Sequence, residues 1–140
     1  MILAYIDGGA RGNPGPAGYG VRIESSDGAV LDELHGALGI ATNNVAEYNG
    51  LLAALQWAVE RGERRVHIRA DSELLVRQMR GEYKVKNAGL QPLYVRARLL
   101  AAQLDVVRFE HVRREFNKEA DRLSNLGMDE AEKQVKGLPG

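Results

Sequence analysis

Four carboxylates, Asp7, Glu47, Asp71 and Asp121, each stand where the pattern of the sequence changes. Asp7 follows the apolar run MILAYI and shares strand parity with Leu3 and Tyr5. A carboxylate continuing such a row is costly to bury without a partner; alternatively the strand has ended and Asp7 opens a turn with Gly8. Glu47 comes three residues after Asn44, where it can complete a capping box and favour the helix dipole. Asp71 sits where RVHIRA gives way to a helical pattern, a place for an N-cap and equally the carboxyl end of a strand, where α/β sheets bind ligands. Asp121 is one turn into the last helical segment, where a dipole role is also natural. Read together, the four can point to one edge of one sheet, and converging carboxylates cannot all stay ionised without counter-charge. A pair of divalent cations about 4 Å apart, held by oxygen ligands, meets that demand and suits in-line displacement at phosphorus. One ion lowers the pKa of an attacking water and the other stabilises the leaving oxygen. With no cysteine and only three histidines in the chain, Mg²⁺ or Mn²⁺ is favoured over Zn²⁺.

The elements that must position these groups follow from hydrophobic period and turn chemistry. Met1 to Ile6 reads as a strand that ends at the glycine-rich DGGARGNPGPAGYG, taken as a loop or bulged turn. Gly20–Glu24 and Val30–Leu38 read as two further strands, completing an antiparallel meander. Thr42, Asn43 and Asn44 offer cap chemistry for a helix over 45–61, closed by Gly62. Arg65–Ala70 is a fourth strand, followed by helices over 73–80 and 93–104. A fifth strand spans 106–113. Asn117 can cap a last helix over 118–126, with Gly127 ending it and a frayed segment after it. This order implies an α/β domain with a mixed sheet, helices on its faces, and crossover helices joining the late strands.

A chain of 140 residues, 44% hydrophobic and 27% charged, is one domain able to bury a core without staples. The absence of cysteine removes disulfides, zinc–thiolate sites, iron–sulfur clusters and a thiol nucleophile. No apolar stretch is long enough for a membrane span, and the start lacks a signal-peptide pattern, so a cytoplasmic protein with no membrane partner is expected. The formal charge is zero, yet residues 1–60 carry two basic and seven acidic residues and residues 61–140 carry seventeen and twelve. Such polarity usually reflects solvated faces, and it also suits a polyanion held beside a metal site.

With these segments in order, the chain resembles the type 1 ribonuclease H family, endonucleases that cut the RNA strand of an RNA–DNA hybrid. The resemblance runs over residues 1–127 and rests on YIDGGARGNPGPAGYG with Asp7, TNNVAEYNGLLAAL with Glu47, RADSELLVRQM with Asp71 and FNKEADRLSN with Asp121. It implies a ribonuclease H-like fold with a five-stranded mixed sheet, strands 1 to 3 antiparallel and 4 and 5 parallel to strand 1. It also implies that the four carboxylates hold two Mg²⁺ ions, with Mn²⁺ able to substitute, and that products carry 5′-phosphate and 3′-hydroxyl ends. A catalytic domain over 1–127, a polar and mobile tail over 128–140, and a monomer are expected.

An enzyme that cuts RNA only when it is paired to DNA must sense 2′-hydroxyls, which a wide, shallow minor groove offers to short amide side chains. Asn13, Asn43 and Asn44 match family positions that contact this groove, and Thr42 matches one that holds a DNA phosphate. Each has an ordinary alternative: Asn13 precedes Pro14 in a turn, and the others can cap a helix. The glycine-rich segment lacks the Gly-Lys-Ser/Thr ending of a nucleotide P-loop and fits close backbone approach to the RNA strand.

Two departures from the family pattern stand out. Many bacterial relatives insert a basic helix and loop that grips the hybrid; here GEYKVKNAGLQPLY is short and carries only Lys84 and Lys86. Strand 1 starts at the first residue, so no preceding hybrid-binding domain is expected. Many relatives also carry a mobile histidine after strand 5. His111 lies within the strand, and it is expected, with His35 and His67, to be structural. Arg114 matches an arginine near the active site of relatives with this short loop, able to hold the scissile phosphate, or else it is a surface residue at a strand end. A non-catalytic nucleic-acid-binding module is the competing class, and double-stranded RNA the competing substrate.

Overall fold

The computed structural model describes residues 1–137. Five strands, β1 (Ile2–Ala10), β2 (Gly15–Glu24), β3 (Val30–Ala41), β4 (Arg65–Ala70) and β5 (Val106–His111), form one sheet in the order β3-β2-β1-β4-β5. The β1–β2 and β2–β3 pairs are antiparallel, and β4 and β5 run parallel to β1. Helix α1 (Asn43–Glu60) carries the chain from β3 to β4, and α2 (Glu73–Met79) and α3 (Gln91–Ala101) carry it from β4 to β5. A single 3₁₀ turn, Arg114–Phe116, leads into α4 (Lys118–Val135).

The sheet lies between two helical layers, and successive residues of β1 show it. A Cβ on Gly8 would stand 2.3 Å from the Ala46 carbonyl carbon of α1, whereas one on Gly9 would approach Met128 of α4. Ile2, Ala4, Ile6, Val66 and Ile68 face the α1 side and form the core with Tyr48, Leu51 and Leu55 of that helix. Asp7, on the other parity, belongs to the α4 side.

The glycine-rich segment corrects the sequence reading. β1 continues through Asp7 to Ala10, and β2 begins at Gly15 with Asp7 opposite Gly20, so most of the expected loop is sheet. The irregularity between Pro16 and Gly18 is the one bulge-like feature there. The glycines occur in these strands because helices lie on them: a Cβ on Gly18 would meet Gly127, and one on Gly20 would meet Ser124, each at 2.4 Å.

The same contact corrects the end of the chain. Helix α4 does not stop at Gly127 but runs to Val135, so residues 128–135 are helical and no polar tail begins at 128. Gly127 is helical, and its missing side chain admits the Gly36 carbonyl oxygen of β3, which would lie 2.4 Å from a Cβ there. Residues 138–140 of the expected tail lie outside the described residues. Among the described residues no helix is long and apolar enough to cross a membrane.

Candidate active site

The caps of two helices decide where two carboxylates point. The N-cap of α1 is Thr42, whose Oγ1 accepts the Val45 N–H at 3.2 Å. Glu47 is therefore not the acidic partner of an Asn44 capping box. The N-cap of α2 is Ser72, accepting from the Leu75 N–H at 3.2 Å, so Asp71 is released from that duty as well. The Asn117 side chain makes no cap bond. Its Nδ2 donates instead to the Ile6 carbonyl at 2.9 Å, tying the start of α4 to β1 one residue before Asp7.

Asp7, Glu47 and Asp71 offer carboxylate oxygens that all lie within 4.8 Å of one another. They line a polar cavity of about 410 Å³ together with Asp121, Ser72 and Arg114. Asp121, on the first turn of α4, faces this cavity although it is exposed. Burial, and then the negative charges of Asp71 and Asp121, push the Asp7 carboxyl up to about 8 against the pull of the Gly8 N–H. Burial also raises Glu47 to about 7, with Asp71 adding to the shift and Ser72 and the Arg114 charge opposing it. Such groups are protonated or unbalanced near neutral pH without a cation. Their all-oxygen donor set fits a hard divalent ion.

Ser124 is a neighbour of the acidic cluster that the sequence reading missed. Its hydroxyl, buried between α4 and the sheet, lies 3.2 Å from Asp7 Oδ2 and 2.9 Å from the Asp121 carbonyl. The available signal was its position three residues after Asp121, which sets both on one helix face.

The amides form a connected edge. Asn13 Oδ1 accepts the Asn43 N–H at 3.0 Å, and Asn43 Oδ1 accepts the Ala10 N–H at 2.8 Å. Both carbonyl oxygens are thus used internally while the amide NH₂ groups remain available as donors. Asn43 and Asn44 line the acidic cavity; Asn13 and Thr42 stand beyond its rim. Arg114, at the head of the 3₁₀ turn, is the arginine that lines it. His111 does not: it ends β5, exposed, in a separate depression with Tyr5, Arg69 and Phe116. His67 pairs with Glu110 at 3.1 Å, and His35 is exposed on β3.

A mixed sheet in this strand order, with acidic groups where the β1–β4 parallel ladder ends and on the flanking helices, defines the ribonuclease H-like class of folds. Residues 5–127 match the family model described as reverse transcriptase-like. The N-terminal RNase H domain of Rv2228c from Mycobacterium tuberculosis, solved as a fusion with maltose binding protein, superposes with a TM-score of 0.92 and 47% identity. That match covers 96% of this chain and 97% of the other. RNase H1 from the archaeon Halobacterium salinarum gives 0.88 and 40%, covering 92% and 98%. LC11-RNase H1, solved in complex with an RNA/DNA hybrid, gives 0.88 and 43%, covering 94% and 99%. The chain belongs to the type 1 ribonuclease H family. It spans 36% of the length of the full bifunctional protein Rv2228c, to which it is 51% identical over 131 residues.

Proposed function

We propose that this chain is a metal-dependent endonuclease that hydrolyses the RNA strand of RNA–DNA hybrids, leaving 5′-phosphate and 3′-hydroxyl ends. The observation that carries the reading is the convergence of Asp7, Glu47 and Asp71 within 4.8 Å, beside Asp121 and a row of amide donors. In this reading the four carboxylates hold two Mg²⁺ ions, with Mn²⁺ able to replace them. Bound there, such a pair supplies activation of the attacking water and stabilisation of the leaving 3′ oxygen.

The protein's own groups do the rest. Asp7 and Asp71, each one residue past the last rung of the β1–β4 parallel ladder, set the spacing of the ligands. Glu47 reaches the cavity from α1 and Asp121 from α4, so the scissile phosphate is approached from both layers. Arg114 brings a guanidinium to the cavity, where it balances Glu47 and can hold a phosphate oxygen. The Asn13 and Asn43 NH₂ groups, with Asn44, face the minor groove and donate to its acceptors without reading sequence. Thr42 still has a hydroxyl proton to donate to a phosphate of the DNA strand. Because the amides inspect the RNA strand, double-stranded RNA is a second substrate in this reading. A cytoplasmic setting fits the cysteine-free sequence, and the reading takes the working form to be a monomer.

Three end-labelled duplexes of one sequence, hybrid, RNA–RNA and DNA–DNA, incubated with Mg²⁺ or with chelator, test the proposal. The hybrid should be cut in Mg²⁺ and left intact in chelator. Cleavage of DNA–DNA, or activity that survives the chelator, overturns it, and the RNA–RNA lane decides the second substrate.

A further inference from the structure

A second concave surface lies at the β5 edge of the sheet, with a volume of about 800 Å³. It is bounded by the end of α2, the second half of α3 and β5, and it shares no lining residue with the acidic cavity. Its floor is apolar, built from Met79, Leu104, Val107 and Phe109. Two arginines, Arg80 and Arg98, stand beside that floor, and Arg108, level with His67 in the β4–β5 ladder, points from the same edge to the opposite face; all three are exposed. Among the described residues none of the three has an ion-pair partner; Arg98 donates only to the Tyr94 hydroxyl.

The acidic residues of the same surface are already engaged. Asp105 is held by Arg64 at 2.6 Å, and Glu110 by Arg69 at 2.8 Å and His67 at 3.1 Å. Burial, and then the charges of Arg69 and Arg108, keep His67 below the ordinary imidazole range despite Glu110. The edge therefore presents three uncompensated positive charges, two beside the apolar floor and one on the opposite face.

The backbone beside it is also unpartnered. β5 is an edge strand. Val106 and Val112 donate their N–H groups to Arg64 and Ala70 on the β4 side. The two-residue repeat of a parallel ladder then turns the Val107 and Phe109 amides toward the open edge. An exposed edge strand is a template for a further strand.

We propose that this edge is a docking site for an extended, acidic segment of a partner protein, pairing along β5 and setting an apolar side chain on the Met79–Leu104–Phe109 floor while its carboxylates meet Arg80 and Arg98 beside the floor and Arg108 on the opposite face. Charge complementarity selects the acidic occupant, and the open backbone edge selects an extended peptide over a nucleic acid. Helix α2 carries Arg80 about 12 Å from the Ser72 end that borders the acidic cavity. The surface stands apart from the nuclease reading and does not depend on it.

The test uses a fluorescein-labelled extended peptide carrying Val/Phe residues and Asp at positions of both parities, its Lys-for-Asp analogue, and a variant combining Arg80→Glu, Arg98→Glu and Arg108→Glu. The acidic peptide should bind saturably by anisotropy and shift the Val107 and Phe109 amide resonances. Its affinity should fall at least tenfold in the variant, the basic analogue should not bind, and hybrid cleavage should stay within about twofold of the parent. If the combined variant fails to fold, Arg108→Glu and Arg80→Glu alone carry the comparison. Absence of saturable binding, equal binding by the variants, or shifts confined to the acidic cavity overturn the proposal. A large loss of hybrid cleavage in folded variants also overturns it, because the arginines would then be serving nucleic acid.

Discussion

The hydroxyl of Ser124 lies 3.2 Å from Asp7 Oδ2, so the strand that carries the central carboxylate is pinned by the helix that carries Asp121. One hydroxyl proton is shared between Asp7 and the Asp121 carbonyl, 2.9 Å away. A cation that draws charge onto Asp7 strengthens the first of these bonds, because hydrogen bonds to ionised acceptors are the stronger kind.

Ser124→Ala should therefore raise the Mg²⁺ concentration needed for half-maximal cleavage several-fold while leaving the rate at saturating Mg²⁺ within about threefold, as expected for losing about 1 kcal/mol of ligand placement. Calorimetric Mg²⁺ titration of the free protein should show the same shift. An unchanged metal midpoint would reduce Ser124 to a packing residue.

The metal-free protein should be more stable at moderately acidic pH than above neutrality. Folded Asp7 keeps its proton to about 8 and Glu47 to about 7, against ordinary values of 3.8 and 4.5. Between those limits the folded chain binds more protons than the unfolded one, so stability falls as pH rises. Denaturant unfolding in chelator should lose on the order of a few kcal/mol from about pH 5 to about pH 8.5. Asp7→Asn should abolish turnover and flatten much of this slope, and Mg²⁺ should restore stability at the alkaline end by binding the folded form. A slope that survives Asp7→Asn in full would assign the effect to other groups.

Gly127→Ala should destabilise the fold by about 2–3 kcal/mol, as overpacking does, since the new methyl would meet the Gly36 carbonyl at 2.4 Å. Urea unfolding measures this directly. A neutral outcome would mean that α4 does not sit as closely on β3 as the structure has it.

Arg114→Ala should lower turnover roughly tenfold without altering the Mg²⁺ midpoint. It should also move the acid limb of the pH–rate profile upward, because the Arg114 charge lowers Glu47. His111→Ala should leave turnover unchanged, its side chain being exposed in a different depression. A large loss in His111→Ala at unchanged melting temperature would give that histidine the proton-handling role denied to it here.

Much of this was readable from residue types and spacing, because the carboxylates sit at boundaries that hydrophobic period makes visible. What the sequence concealed lay mostly in residues with two physical uses. Glycine punctuates turns, but Gly8, Gly18 and Gly20 lie in strands that helices approach too closely for a Cβ. Gly127 resembled a helix stop for the same reason. Asn44 and Asp71 had the chemistry of caps, and only the observed bonds of Thr42 and Ser72 free Glu47 and Asp71. Ser124 was silent because a serine inside a helix announces nothing until its neighbour across the interface is known.

The two helical layers meet the sheet on opposite faces, with Ala46 closing on Gly8 and Met128 on Gly9. The proposed ligand set draws Glu47 from one layer and Asp121 from the other, on either side of Asp7. A partly folded chain that has formed its sheet and docked only one layer has half a site. Cation binding at this cavity is thus a reporter of completed assembly, and Mg²⁺ added during refolding should act late, capturing only molecules in which both faces have closed.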